Sequence, residues 1–144
     1  MKVCLEFNTI DSDGDKTASK CLGVMEVRKN DYRIVYMEDL SGQGIMTKST
    51  LIISKEGMRI IRKGELSSDF IYEEALVHNT TYKTPYGIFP VTISTSKYVY
   101  NDNIVDATSL PEDFFIGVVA DYSLIIGQGE PMNMSIEINV KRWE

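Results

Sequence analysis

The sequence predicts an all-β chain folded as one antiparallel up-and-down barrel of eight to ten strands. Apolar and polar residues alternate with period two in several segments, and no window of eleven or more residues holds a 3.6-residue period. Turn residues recur between these segments at near-regular spacing. A β-sandwich would show the same pattern, but consecutive hairpins favour a barrel, because closure removes exposed edge strands.

Val3, Leu5 and Phe7 alternate with Cys4, Glu6 and Asn8, the signature of a half-buried strand. Asp11-Ser12-Asp13-Gly14-Asp15-Lys16 then turns the chain. Its three aspartates invite a calcium reading, but an EF-hand loop needs glycine sixth and glutamate twelfth. Here Gly14 is fourth and Leu22 twelfth, so a solvated Asp-Gly hairpin turn is expected instead. Strands are expected over 18–29 and 32–38, joined at Asn30-Asp31. Gly42 and Gly44 break the chain before a strand over 45–54, and Lys55-Glu56-Gly57 turns it into a short one over 58–62. In the next strand, 66–73, Phe70 and Tyr72 share a face.

Residues 77–100 are the most informative stretch, with two of the four prolines and the only histidine. Thr84-Pro85-Tyr86-Gly87 is a turn: proline presets φ at its second position, and Gly87 accepts conformations other residues resist. It joins two extended segments, and Pro90, lacking an amide hydrogen, is expected at a bulge or an unpaired edge position. Residues 101–113 form one long connection, in which Ser109-Leu110-Pro111-Glu112 has the residues to cap a single helical turn. Strands over 114–126 and from Met132 to Val140 complete the chain.

With 144 residues, 43% of them hydrophobic, a single domain over 1–144 with a real core is expected. The net charge of −6 argues against nucleic acid and anionic membranes as partners. No apolar run approaches a membrane span and the N-terminus lacks a signal-peptide core, so a cytoplasmic setting is the expectation. Cys4 and Cys21 fall on neighbouring strands of the first hairpin, close enough to pair under oxidation. Two reduced thiols are the plainer reading in a cytosolic chain.

Several pieces resemble the YwiB-like family of bacterial calycin-type proteins. They are Ile61-Arg62-Lys63-Gly64-Glu65-Leu66-Ser67-Ser68, Phe70-Ile71-Tyr72-Glu73-Glu74, Tyr82-Lys83-Thr84-Pro85-Tyr86-Gly87, Ile93-Ser94-Thr95 and Ala120-Asp121-Tyr122-Ser123-Leu124. Their order and spacing span nearly the whole chain, and the Tyr-x-Thr-Pro-Tyr-Gly piece is the most specific. The connection over 101–113 is longer than the family's usual one. The resemblance implies a lipocalin-like β-barrel and a bacterial cytosolic setting, but no reaction or ligand.

Candidate site residues follow from parity. His78, Thr80, Tyr82 and Thr84 share one face of their strand, and a barrel would have to give these polar groups partners, water or a small ligand. The plainer alternative leaves this strand at a gap or rim, wet on both faces. Tyr86 and Tyr122 complete the aromatic candidates, and Arg62 is the cation best placed for a small carboxylate or phosphate. Arg59 and Lys63 lie on the opposite face from Arg62, and an ordinary solvated, salt-bridged surface is the plainer reading of all three. A hydrolase would need His78 beside Ser94 or Ser96 and Asp121, without any Gly-x-Ser-x-Gly elbow. No catalytic, metal or cofactor set is expected from one histidine and two scattered cysteines. Met132 and Met134 read as core fillers. Trp143 lies near the C-terminus, and the N-terminal Gly-x-Trp signature of secreted lipocalins is absent.

Two functions fit. One is a noncatalytic barrel holding a small molecule inside. The other is a filled structural or interaction barrel, monomer or homodimer, acting through its surface.

Overall fold

The computed structural model describes residues 1–40 and 42–143. Its strands are β1 (Lys2–Asp11), β2 (Lys16–Val27), β3 (Tyr32–Asp39), β4 (Met46–Ile53), β5 (Gly57–Lys63), β6 (Ser67–Glu73), β7 (Val77–Thr84), β8 (Gly87–Asp102), β9 (Phe115–Ile126) and β10 (Met132–Arg142). Each strand pairs antiparallel with the next in the chain, and β10 pairs back onto β1, so the sheet closes into the expected all-β up-and-down barrel. The alternating segments supplied the strands because one face of each is buried. Val3, Leu5 and Phe7 of β1, Ile34 and Tyr36 of β3 and Ile136, Ile138 and Val140 of β10 all point into a single core.

The two ends of the barrel differ. One end holds the start of β1, the end of β10 and the connection from β8 to β9. Phe114 is buried there, under the Arg142 guanidinium, 5.4 Å from its ring centre. Arg142 also donates to the carbonyls of Leu110, Pro111 and Glu112. These are carbonyls that a helix at 109–112 would need, and the segment forms isolated turns instead, closed by Ser109 N to Asp106 O and Phe114 N to Pro111 O. Asn103 ties the connection together, donating to Asp113 O at 3.0 Å and accepting from Phe115 N at 2.9 Å. Tyr98 adds a bond to Ser54 O at 2.7 Å.

The other end carries the β1–β2, β3–β4, β5–β6, β7–β8 and β9–β10 turns. The first is an aspartate-led turn: Asp11 Oδ1 accepts from the amides of Asp13 and Asp15, and Gly14 takes φ +82°. The Thr84–Gly87 turn is closed by Thr84, whose hydroxyl donates to Gly87 O and accepts from Tyr86 N.

Two local expectations are corrected, and a third is settled between its alternatives. The β8 irregularity falls between Thr95 and Lys97, so Pro90 is not at a bulge. Pro90 is paired to Thr81 of β7 but precedes the ladder to β9, which begins at Val91, so it holds the unpaired position expected of a residue without an amide hydrogen. Met134 packs against the core, but Met132, at the start of β10, is exposed. Cys4 and Cys21 do lie on paired strands, yet Cys21 stands opposite buried Leu5 and Cys4 opposite exposed Leu22. Opposed residues share a face, so the two free thiols point to opposite sides of the wall and are poorly placed for a disulfide.

Gly57 marks the tightest approach in the wall. A Cβ there would stand 2.7 Å from the Tyr72 carbonyl oxygen, which cannot swing aside as a side chain would. Gly57→Ala is therefore expected to cost about 1–3 kcal/mol in urea unfolding. Gly117→Ala, whose Cβ would meet nothing closer than the Asn139 side chain at 3.5 Å, is expected to stay within about 0.5 kcal/mol. Equal losses would show that crowding at Gly57 is not what the wall depends on.

Candidate functional site

Register builds the site. Successive ladders oppose Tyr36 to Ser49, Ser49 to Arg62, Arg62 to Ser68 and Ser68 to Tyr82. These five residues, from β3 to β7, form one inward-facing row across five strands. Ser49 and Tyr36 are buried, while Arg62, Ser68 and Tyr82 are half-buried around the open end of the barrel. Arg62, Ser68 and Tyr82 line a cavity of about 250 Å³ with Phe70 beneath and Leu40 and Leu66 at the rim. The rings of Phe70 and Tyr82 meet edge to face, 6.3 Å apart, which gives this mouth an aromatic wall.

Arg62 is held by Glu38, one inward position beyond Tyr36 on β3. Its Nε donates to Glu38 Oε2 at 3.1 Å, and Ser49 donates its hydroxyl to the same oxygen. The two side chains are 20% and 14% exposed, so the pair is largely withdrawn from water. Burial works against the charge on Arg62, but Glu38, with Tyr36 and Tyr72, outweighs it and raises its pKa. Among the described residues, no hydrogen-bond partner meets Nη1 or Nη2. The buried Tyr36 hydroxyl also lacks a partner. Burial first, and the Glu38 carboxylate after it, push its phenol pKa up. Deeper in the barrel Tyr72 and Tyr122 fill the space edge to face, with centroids 4.8 Å apart.

Of the residues read from the sequence, Arg62 and Tyr82 meet at the mouth. Tyr122 is core, against Tyr72. His78 and Thr80 are half-buried on the same face of β7 as Tyr82, with Val77, Asn79, Thr81 and Lys83 exposed on the other. His78 Nε2 lies 3.1 Å from Glu73 Oε1, without hydrogen-bond alignment, where β6 and β7 part. Tyr86 stands at the tip of the β7–β8 hairpin, 93% exposed, and takes no part in the interior. A turn residue two positions past the end of the strand has no wall to fold against. Arg59 is outside the barrel and paired with Asp69, on the face opposite to Arg62.

The family model described as a domain of unknown function, DUF1934, matches residues 5–138. The chain belongs to this family. It is also similar to the crystal structure of the ywiB protein from Bacillus subtilis, with 15% identity, a TM-score of 0.76, and coverage of 99% of this chain and 92% of that one. At that identity the likeness concerns the barrel, and it accords with the YwiB-like motifs in the sequence. No curated protein matches the chain.

In this DUF1934 member the hydrolase constellation does not assemble. Ser94 is opposed to exposed Val77, and Ser94, Ser96 and Asp121 line a groove of about 670 Å³ on the outside of the wall. His78 is on the inward face of β7, so the wall itself separates it from both serines. Ser96 instead donates to the backbone oxygen of Asp121. The triad Asp11, Asp13 and Asp15 brings ligand atoms within 4.8 Å, but one Asp11 oxygen already serves two turn amides. Sequence reasoning missed Glu38 and Ser49. Both continue an inward alternation, Ile34–Tyr36–Glu38 and Ser49–Leu51–Ile53, that was present to be read.

Six of the eight tyrosines, Tyr32, Tyr36, Tyr72, Tyr98, Tyr100 and Tyr122, have raised phenol pKa values, each chiefly through burial. A raised folded pKa gives stability that is complete below the unfolded value near about 10 and is lost as pH climbs past it. Absorbance at 295 nm is expected to show these phenols ionising only together with loss of β-sheet circular dichroism. Ionisation of all eight with the sheet intact would contradict this burial.

Proposed function

We propose that this protein is a noncatalytic, cytoplasmic, calycin-like barrel that binds a small molecule at its open mouth. The observation that carries this reading is the row Arg62–Ser68–Tyr82. It places a charged group, a hydroxyl and an aromatic wall around a cavity, while the middle of the barrel is filled. The ligand therefore sits in the mouth, not along the axis. His78, Thr80 and Tyr122 support the walls behind it, and Tyr86 is outside it. Two half-exposed free thiols fit a reducing compartment.

A second reading has its own observation. On the outer wall Val24 pairs with Val35, and Leu22 and Met37 lie two residues further along the same faces. Leu22, Val24 and Met37 are all exposed, Val24 by 59%. This is an apolar strip that a second copy could cover, with the barrel acting as a homodimer.

One experiment separates the two: native mass spectrometry of untagged protein from its own host, beside a Ser68→Trp variant whose indole fills the mouth. A small adduct on the wild type, lost on denaturation and missing from a folded Ser68→Trp, is the expected result. An adduct that survives in the variant would move the site elsewhere, and a bare dimer would favour the outer strip.

A further inference from the structure

The mouth is selective by its construction, and its parts specify a class of ligand. Glu38 takes only the Nε edge of the Arg62 guanidinium, at 3.1 Å, and Glu38 is itself fixed by Ser49. The guanidinium is thereby oriented, with its two terminal nitrogens unpartnered among the described residues and Arg62 lining the cavity. Two parallel N–H donors in one plane match the two oxygens of a carboxylate. The charge balance narrows the choice. Arg62 and Glu38 sum to zero, so the site offers little to a dianion such as phosphate, while a cation would meet the guanidinium first. The other side chains that line it are Leu40, Leu66, Phe70 and Tyr82, with Ser68 among them. A cavity of about 250 Å³ admits only a small body.

We propose that the mouth binds a small monocarboxylate with an apolar body, its carboxylate bridging Arg62 Nη1 and Nη2 and its body against Leu40, Leu66, Phe70 and Tyr82. This rests on the reading of the mouth as a binding site and adds the chemistry of the ligand. The guanidinium stays charged at any pH the fold survives, so selection is by the ligand's ionisation and shape and not by that of Arg62. The corresponding amide keeps the shape and loses the charge-assisted pair, which is the comparison that isolates the inference.

The test is protein-observed NMR with benzoate and hexanoate, their amides, and inorganic phosphate, on the wild type and on Arg62→Lys. The acids are expected to shift the Ser68 and Tyr82 amides and the Arg62 Nε–H, and to bind tenfold or more tighter than amides or phosphate. Arg62→Lys keeps the charge but not the fork, and is expected to bring the acids down towards the amides while leaving amide binding unchanged. The acid–amide comparison needs no variant, so the proposal remains open to refutation if Arg62→Lys unfolds. Amides that bind as well as acids, or phosphate that binds better, would overturn the carboxylate assignment and leave the mouth as a binding site. If no compound shifts the mouth residues, the carboxylate assignment falls. If a host-derived adduct also persists in Ser68→Trp, the mouth falls with it.

Discussion

The ladder between β1 and β10 runs from Val3–Arg142 to Asp11–Met134, and the rest of the barrel is conditional on it. Without it the ten strands would form an open meander with two bare edges, and Val3, Leu5 and Phe7 would lose one of the walls they pack against. Closure also fixes direction. Antiparallel partners share a face, so one inward residue commits its partner on every neighbouring strand. Val3 opposes Gly23, Gly23 opposes Tyr36, and the row continues through Ser49, Arg62 and Ser68 to Tyr82 and Phe89. Because barrel strands are tilted, this row climbs from the closed end at Val3 to the hairpin by the open mouth. Arg62 faces inward for the same reason that Val3 does.

That commitment has an electrostatic cost, which the structure offsets locally. A guanidinium brought mostly out of water is tolerable only with an anion and further hydrogen bonds. Glu38 and Ser49 supply them from the two strands before β5. A pair of this kind adds little stability over apolar residues of similar volume, and most of the rest of the interior is lined by Leu, Ile, Val, Met, Phe and Tyr. The charged pair sits at the end where the cavity opens, away from the ladder that closes the barrel.

Much of the barrel is legible in one chain because period-two alternation and turn residues are local. Val3–Leu5–Phe7, the Asp-Gly turn and the Thr84–Gly87 turn each declare themselves within ten residues. Strand identity and order followed from them. The site is less legible because it is assembled by register. Tyr36, Ser49, Arg62, Ser68 and Tyr82 are neighbours only through four separate ladders. Parity alone separated Arg62 from Arg59 and Lys63, but it could not say which side was inside. Tyr86 was drawn in by composition, being one of several tyrosines near a turn, although a residue at a hairpin tip has no wall opposite it. Glu38 went unnoticed because a glutamate at a strand end reads as solvent-facing.

The barrel is not equally firm all round. β6 and β7 are joined only at Ser67–Lys83 and Ser68–Tyr82, whereas β7 is paired with β8 along its whole length. Beyond Ser68 the two strands part, and the 75–76 segment turns its backbone to Thr95 of β8 instead. In terms of local unfolding, this is the seam whose opening breaks the fewest ladder hydrogen bonds among the described strands. Opening of the wall is therefore expected first on the side where Ser68 and Tyr82 meet. The wall of the mouth and the loosest joint of the barrel are the same two residues.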